Sequence, residues 1–119
     1  MSSAAKSVYY FGFYLLIIGI SLTVFPNALL SLFQFQPATE PWIHVLGAVV
    51  FNIGLLYVFM APTNNTLFLT LTIYLRAAVL VYFTSFVVMG WAPWQLITFG
   101  LVDMAGAVWT YVAMKSGNR

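Results

Sequence analysis

The feature that most constrains this chain is a set of four long apolar runs, each with at most one charged residue. A helix needs about 20 mostly apolar residues to cross the roughly 30 Å hydrocarbon core of a bilayer. Because lipid offers the backbone no hydrogen-bond partners, only helices and closed barrels cross it, and continuous apolar runs of this length indicate helices. We therefore predict an all-α, integral membrane four-helix bundle, with helices at about residues 8–25, 42–60, 67–89 and 94–114.

Charged side chains are too scarce for a water-soluble surface. They make up 5% of the 119 residues, whereas soluble domains contain about a quarter. The net charge of +2 is too small to indicate a nucleic-acid partner. The chain has no cysteine, which excludes disulfides, thiolate metal sites and cysteine nucleophiles. At this length we expect residues 1–119 to form a single transmembrane domain.

The connections between the runs predict the order of the helices. Residues 62–66 and 90–93 form short connections, which make consecutive helices antiparallel neighbours. The first connection is longer, and its segment 27–36 is apolar but too short to cross a bilayer. We expect this segment to form a short helix in the membrane interface. The predicted architecture is therefore up-down-up-down, with an interfacial helix between the first two spans.

The basic residues predict the orientation. Lys6, Lys115 and Arg119 fall on one side of a four-helix chain, whereas the connections on the other side carry only Glu40. Because basic residues concentrate in cytoplasmic segments, both termini are expected in the cytoplasm. The predicted location is the inner (plasma) membrane, with multiple spans.

Glycines predict how the first two helices pack. Gly12 and Gly19 in the first helix, and Gly47 and Gly54 in the second, are each seven residues apart and so mark one stripe. Helices in a bilayer associate through such small residues. Antiparallel packing at matching depths would bring Gly12 to Gly54 and Gly19 to Gly47.

Two further stripes are expected to face neighbouring helices or, alternatively, to form a homodimer seam. The stripe on the fourth helix consists of Gly100, Asp103, Ala107 and Thr110. The stripe on the third helix consists of Thr70, Ala77 and Thr84.

Two charges lie deep within the third and fourth helices. A charge at the bilayer centre costs at least about 2.5–3.5 kcal/mol, so Arg76 and Asp103 should face protein or water and find a partner. We predict an Arg76–Asp103 ion pair, joined in one polar layer by Asn52, with Thr72 and Tyr74 as further candidates. Two interpretations stay open for this layer: a lock between helices, or the polar floor of a ligand pocket or relay.

A second polar candidate lies near the outer face. Glu40 and the single histidine, His44, are four residues apart and could form a pH-responsive contact or serve as polar anchors. A metal site would need further ligands, and none is close in sequence. No phosphate-binding glycine loop or catalytic carboxylate pair is present, so neither a catalytic residue nor a cofactor is expected.

Three short stretches carry a family resemblance: Leu46-Gly47-Ala48, Leu75-Arg76 and Phe99-Gly100-Leu101-Val102-Asp103. Together with the layout of the chain, they resemble small bacterial four-helix membrane proteins similar to the DoxX family. This resemblance implies a four-helix bundle and, in some members, an accessory role beside a redox enzyme. It transfers no catalytic residue. The chain also matches small multidrug transporters in length, but its first helix lacks their essential acidic residue.

Two functions follow from these observations. The first is a non-enzymatic bundle that binds a hydrophobic molecule, such as a lipid or quinone, or serves as an accessory subunit of a membrane complex. The second is a small dimeric transporter or channel that uses the Arg76, Asp103 and Asn52 layer as its polar step. The expected partners are the lipid bilayer, a hydrophobic molecule or membrane protein, and a second copy of the chain in the dimeric case.

Overall fold

The computed structural model describes residues 1–36 and 41–116, so Glu40 and Arg119 lie outside the described residues. Within those ranges the chain forms five α-helices, one 3₁₀ turn (Ala61–Thr63) and no strand. The helices are α1 (Ser3–Val24), α2 (Pro26–Leu32), α3 (Trp42–Met60), α4 (Thr66–Val88) and α5 (Leu96–Lys115). All except α2 are long and apolar enough to cross a membrane. The prediction of an all-α chain with four helices of spanning length is confirmed.

The first long helix begins five residues earlier than predicted, at Ser3 and not at residue 8. The Ser2 hydroxyl accepts a hydrogen bond from the Ala5 N–H at 3.1 Å and so satisfies a free donor of the first turn. The added turn is buried, because Ala4 and Ala5 are among the least exposed residues described. Hydropathy missed this turn because it contains serines and Lys6, although such residues are compatible with a helix.

The predicted interfacial segment does contain a helix, α2, which is shorter than residues 27–36. Pro26 opens it, since a proline at the first position removes only an N–H that would lack a helical partner. Gln34 then takes a left-handed backbone with φ of 64°, and the Phe35 N–H donates to the Leu30 carbonyl at 2.8 Å. This bond closes the helix end. The location of α2 at a membrane interface stays a prediction.

Two adjacent asparagines shape the connection between α3 and α4. Asn64 adopts a left-handed backbone with φ of 53°, which asparagine tolerates better than most residues. Its side-chain oxygen accepts from the Ser2 N–H at 2.8 Å, which ties the start of the chain to this turn. The Asn65 side chain caps α4 by accepting from the Phe68 N–H at 3.0 Å.

The connection between α4 and α5 turns at Gly90, whose φ of 78° lies in the region that favours glycine. The next helix, α5, begins at Leu96 and not at the predicted residue 94. Its first N–H donors, on Leu96 and Ile97, bond to carbonyls three residues back, which is the tighter 3₁₀ pattern.

The chain divides into two compact units, residues 9–59 and residues 1–8 with 60–119. In the first unit, glycines allow α1 and α3 to meet backbone to backbone. A Cβ atom on Gly12 would lie 3.1 Å from the Gly54 carbonyl oxygen, and one on Gly47 would lie 2.8 Å from the Gly19 carbonyl oxygen. Gly12 therefore packs on Gly54 and Gly19 on Gly47, which is the predicted pairing.

In the second unit, α4 packs on α5. Gly100 lies against Leu80, and a Cβ atom on this glycine would lie 3.2 Å from the Leu80 Cα atom. The stripe predicted on α5 is largely correct, since Gly100, Ala107 and Thr110 are buried. The stripe predicted on α4, Thr70, Ala77 and Thr84, is half-buried, and the fully buried residues of this helix are Leu69, Thr72 and Arg76, so the role of the stripe stays a prediction. Spacing by seven alone could not decide which face of α4 packs inward.

Large apolar side chains lie outside and several polar ones inside. Ile17 and Leu75 are 65% and 60% exposed, whereas Ser7 and Thr110 are fully buried. The interior also holds apolar residues such as Val8 and Leu69, but fully buried charged and hydroxyl side chains are uncommon in water-soluble proteins.

Candidate functional site: a buried arginine and three hydroxyls

The centre of the candidate site is Arg76, in the middle of α4 and 3% exposed. Its Nε–H donates to the Thr72 carbonyl oxygen at 3.0 Å, and its Nη2 donates to the Thr72 hydroxyl at 3.2 Å. Thr72 is one turn earlier on the same helix face. The side chain therefore leans toward the start of α4, the direction in which helical side chains point.

The same Nη2 atom also reaches across to α5. It donates to the Thr110 hydroxyl at 2.7 Å, which is the short distance typical of a charge-assisted hydrogen bond. The Thr110 hydroxyl lies 2.6 Å from the Ser7 hydroxyl on α1. Arg76 thus connects side chains that come from three helices, all within one compact unit.

We call Ser7, Thr72, Arg76 and Thr110 the hydroxyl cluster. Each of its hydroxyls also lies within hydrogen-bonding distance of a carbonyl of its own helix, Ser7 of Ala4, Thr72 of Leu69 and Thr110 of Gly106. Because a hydroxyl carries one hydrogen, either Ser7 or Thr110 donates to the other hydroxyl and not to its carbonyl. All four side chains are at most 3% exposed. Burying a charge costs several kcal/mol unless hydrogen bonds offset it, and here three neutral oxygens, two of Thr72 and one of Thr110, accept from Nε and Nη2.

This arrangement favours a structural role over catalysis. An activated hydroxyl nucleophile needs a neighbouring base to take its proton. The hydroxyl of Thr110 instead accepts from a permanently charged guanidinium, which cannot act as a base. The chemistry of the cluster is that of a polar tie between helices.

Asp103 lies on α5 two turns before Thr110 and is half-buried. The positive charge of Arg76 acts on its carboxylate. The guanidinium, however, extends toward Thr72 and Thr110, at the level of the first turns of α4. The Arg76–Asp103 ion pair therefore stays a prediction.

Of the other candidates for the polar layer, Thr72 lies beside Arg76 as expected, whereas Tyr74 does not. Tyr74 is 68% exposed, because two residues along a helix correspond to a rotation of about 200° away from the Arg76 face. Asn52 belongs to the other unit, where it is exposed. It borders a cavity of about 270 Å³ lined by Thr23 of α1 and Phe51 of α3, among others.

The outer candidate, His44, is exposed, and its Nδ1 donates to the Thr23 carbonyl oxygen at 2.5 Å. This bond links the first turn of α3 to the last turn of α1, so His44 acts as a polar anchor of that hairpin. The pairing of His44 with Glu40 falls outside the described residues. Within the described ranges, no group of three or more His, Cys, Asp or Glu side chains is placed to hold a metal ion.

Two members of the hydroxyl cluster were not expected at the site. Ser7 precedes the predicted start of the first helix, and nothing in the sequence marks it as buried. Thr110 was expected to face a neighbouring helix but not to bind Arg76. One signal was available in the sequence. Thr110 belongs to the predicted α5 stripe and lies about one turn from the depth expected for the Arg76 Cα atom, on the side toward which an arginine on α4 extends.

Comparison with known proteins gives no relative from which a role could be taken. No known protein family, curated protein or solved structure matches the chain.

Proposed function

We propose that this chain is an integral membrane protein of the inner (plasma) membrane, with four spans in up-down-up-down order. The exposure of large apolar side chains supports this proposal: Ile17 and Leu75 are among many exposed large apolar residues, while Arg76 is buried. Water would penalise such a surface, whereas lipid would solvate it. Exposed tryptophans near helix ends, such as Trp42 and Trp94, are typical of residues at membrane interfaces.

We further propose that the protein acts by binding within the bilayer and not by catalysis. Its partner would be a hydrophobic molecule or another membrane protein, for which it would serve as an accessory subunit. The burial of the hydroxyl cluster is the observation that carries this proposal. A buried and internally bonded cluster holds helices together and leaves the apolar outer surface for binding. The resemblance to DoxX-like proteins agrees with an accessory role.

A transporter would instead need water to reach the polar layer from alternate sides. This alternative can be tested at Ser7, because the natural chain has no cysteine and Ser7→Cys changes a single atom. We expect a membrane-impermeant maleimide to leave Ser7→Cys unlabelled in intact and in permeabilised cells. SDS-denatured protein should label fully and serves as the control. Labelling in the native state would favour the transporter.

Membrane insertion and orientation can be measured with two more cysteine variants. The protein should stay in the membrane fraction after alkaline carbonate extraction. Trp94→Cys should react with an impermeant maleimide in intact cells, and Ser116→Cys only after permeabilisation. The unmodified chain, which cannot react, is the control. Release by carbonate would contradict the membrane proposal, and the reverse labelling pattern would contradict the orientation.

Binding is tested by native mass spectrometry of protein extracted in mild detergent. We expect a co-purified hydrophobic molecule or a second membrane protein in defined stoichiometry. The control is a membrane protein whose noncovalent lipid adducts survive the same conditions. If the control keeps its lipids but this chain carries no hydrophobic molecule and no second protein, the binding proposal is contradicted.

A further inference from the structure

One face of α3 carries a row of exposed side chains with regular spacing. Val45, Val49, Asn52, Leu56 and Phe59 follow one another at intervals of four, three, four and three residues, and all five are exposed. We call this row the α3 stripe. Alternation of four and three is the heptad spacing by which one helix packs lengthwise on another.

The stripe lies on the side of α3 that is not used by α1. Gly47 and Gly54 are buried against α1. Asn52 follows Gly47, and Phe59 follows Gly54, by five residues, a rotation of about 140°, whereas Val45, Val49 and Leu56 are two residues from a glycine, a rotation of about 200°. The contact with α1 therefore leaves the five stripe residues exposed, although Asn52 also borders the cavity lined by Thr23 of α1.

Asn52 is the only polar side chain of the stripe. It is ten residues from Trp42 and eight from Met60, so it lies near the middle of α3, about 12–15 Å from either helix end. Its amide is exposed, and no hydrogen bond joins it to the part of the chain that the structure describes. In hydrocarbon an unpaired amide is costly, and asparagine side chains there hydrogen-bond across helix pairs.

We propose that the α3 stripe is the interface with a second copy of this chain, and that the two Asn52 amides hydrogen-bond to each other across a twofold axis. An amide carries both donors and an acceptor, so an identical amide can satisfy it. All copies enter the membrane in one orientation, so their α3 helices are parallel and a twofold axis along the membrane normal brings Asn52 opposite Asn52 of the second copy. Asparagine at one core position of a parallel pair specifies register and a two-stranded state. The proposal rests on the proposed membrane insertion and on one orientation shared by all copies.

Cross-linking tests this interface, because the natural chain has no cysteine. Val49→Cys, Asn52→Cys and Leu56→Cys should each give disulfide-linked dimers in native membranes under mild oxidation. Ile17→Cys on α1 and Val81→Cys on α4 are matched controls, since both positions are well exposed and apolar. They should give little dimer. Equal cross-linking at the stripe and the controls would overturn the proposal, as would stripe cysteines that link only to another protein.

The role of the amide is tested by association in bicelles, measured by energy transfer between labelled copies. Asn52→Leu should raise the dissociation constant of the dimer about 3- to 30-fold, and Asn52→Gln should retain most of the affinity. An unchanged dissociation constant for Asn52→Leu would overturn the proposal.

The Val49 and Leu56 cysteine variants retain Asn52, so their cross-linking still tests the interface if Asn52→Leu does not fold. Release of the chain by carbonate would instead identify failure of the membrane proposal.

Discussion

At the scale of single residues, Arg76 shows how a helix accommodates a side chain that stays charged when it is buried. The side chain begins in the middle of α4, but its hydrogen bonds go to Thr72 and Thr110, closer to the start of that helix. Arginines in membrane helices commonly extend toward the nearer interface in this way. The depth of the Cα atom is therefore a poor guide to the depth of the charge, which is why Thr110 was not predicted as a partner of Arg76.

Replacing Thr110 should show the cost of removing one acceptor from a buried guanidinium. Thr110→Val keeps the shape of the side chain but removes the shorter of the two Arg76 Nη2 bonds, leaving the bond to Thr72, and removes the neighbour of the Ser7 hydroxyl. We expect the free energy of unfolding to fall by about 1–3 kcal/mol. Reversible unfolding in mixed micelles would measure the loss. Thr84→Val, at a half-buried position of α4, is the control, and an equal loss at both positions would contradict the prediction.

Replacing Arg76 itself should be milder than replacing its partner. Arg76→Met removes the charge and the need for acceptors together, and each hydroxyl of the cluster keeps a hydrogen-bond partner, either a carbonyl of its own helix or another hydroxyl. Substitution of buried charges by apolar side chains of similar volume is often neutral. We expect a free energy of unfolding within about 1 kcal/mol of the natural protein. A loss larger than that of Thr110→Val, measured in the same micelles, would mean that the charge is itself stabilising.

At the scale of helices, the contact between α1 and α3 depends on the absence of side chains. A Cβ atom on Gly19 would lie 2.6 Å from the Phe51 nitrogen and 2.7 Å from its Cα atom. These are backbone atoms, so the clash cannot be relieved by a change of rotamer. The two helices would have to move apart along their whole contact, because packed helices are rigid.

Gly19→Ala should therefore destabilise the protein more than Gly100→Ala does. At Gly100 the nearest neighbours of an added Cβ are the Leu80 Cδ1 atom at 3.1 Å and the Leu80 Cα atom at 3.2 Å, so a much smaller displacement relieves the contact than at Gly19. We expect a loss of about 1–3 kcal/mol for Gly19→Ala, and a smaller loss or a gain for Gly100→Ala because alanine favours helix. Unfolding of both variants under one set of conditions checks the order, and the reverse order would contradict it.

The sequence predicted the long helices and the Gly12–Gly54 and Gly19–Gly47 contacts, because both depend on spacing along a single helix. It did not predict the start of α1 or the burial of Ser7, because these depend on contacts with distant parts of the chain. The Ser7 and Thr110 hydroxyls are 103 positions apart. No local pattern encodes such a contact. The prediction for Tyr74 was wrong for a simpler reason: two residues that are two positions apart lie on opposite faces of a helix, although they are close in sequence.

At the scale of the whole molecule, orientation in the proposed membrane depends on very few charges. Lys6 and Lys115 are both exposed, near the start of α1 and the end of α5. We expect the double variant Lys6→Gln, Lys115→Gln to populate both orientations, and added lysines at residues 91 and 92 to favour the inverted one. The Trp94→Cys and Ser116→Cys labelling assay measures the two populations. Unchanged labelling would show that orientation is set by other features, and Lys6→Arg, Lys115→Arg is the charge-preserving control.

The hydroxyl cluster also has a consequence for biogenesis. It joins residue 7 to residue 110, so the first and the last long helix meet there, and a ribosome makes Arg76 well before it makes Thr110. While α5 is still being synthesised, Arg76 lacks its acceptor on α5, so earlier entry of α4 into the proposed bilayer would leave that hydrogen bond unmade. Integration of α4 is thus expected to wait for α5, with both leaving the translocation machinery together. In a nascent chain arrested before residue 110, α4 should remain extractable from the membrane. After the arrest is released and synthesis is completed, α4 and α5 should become resistant to extraction together.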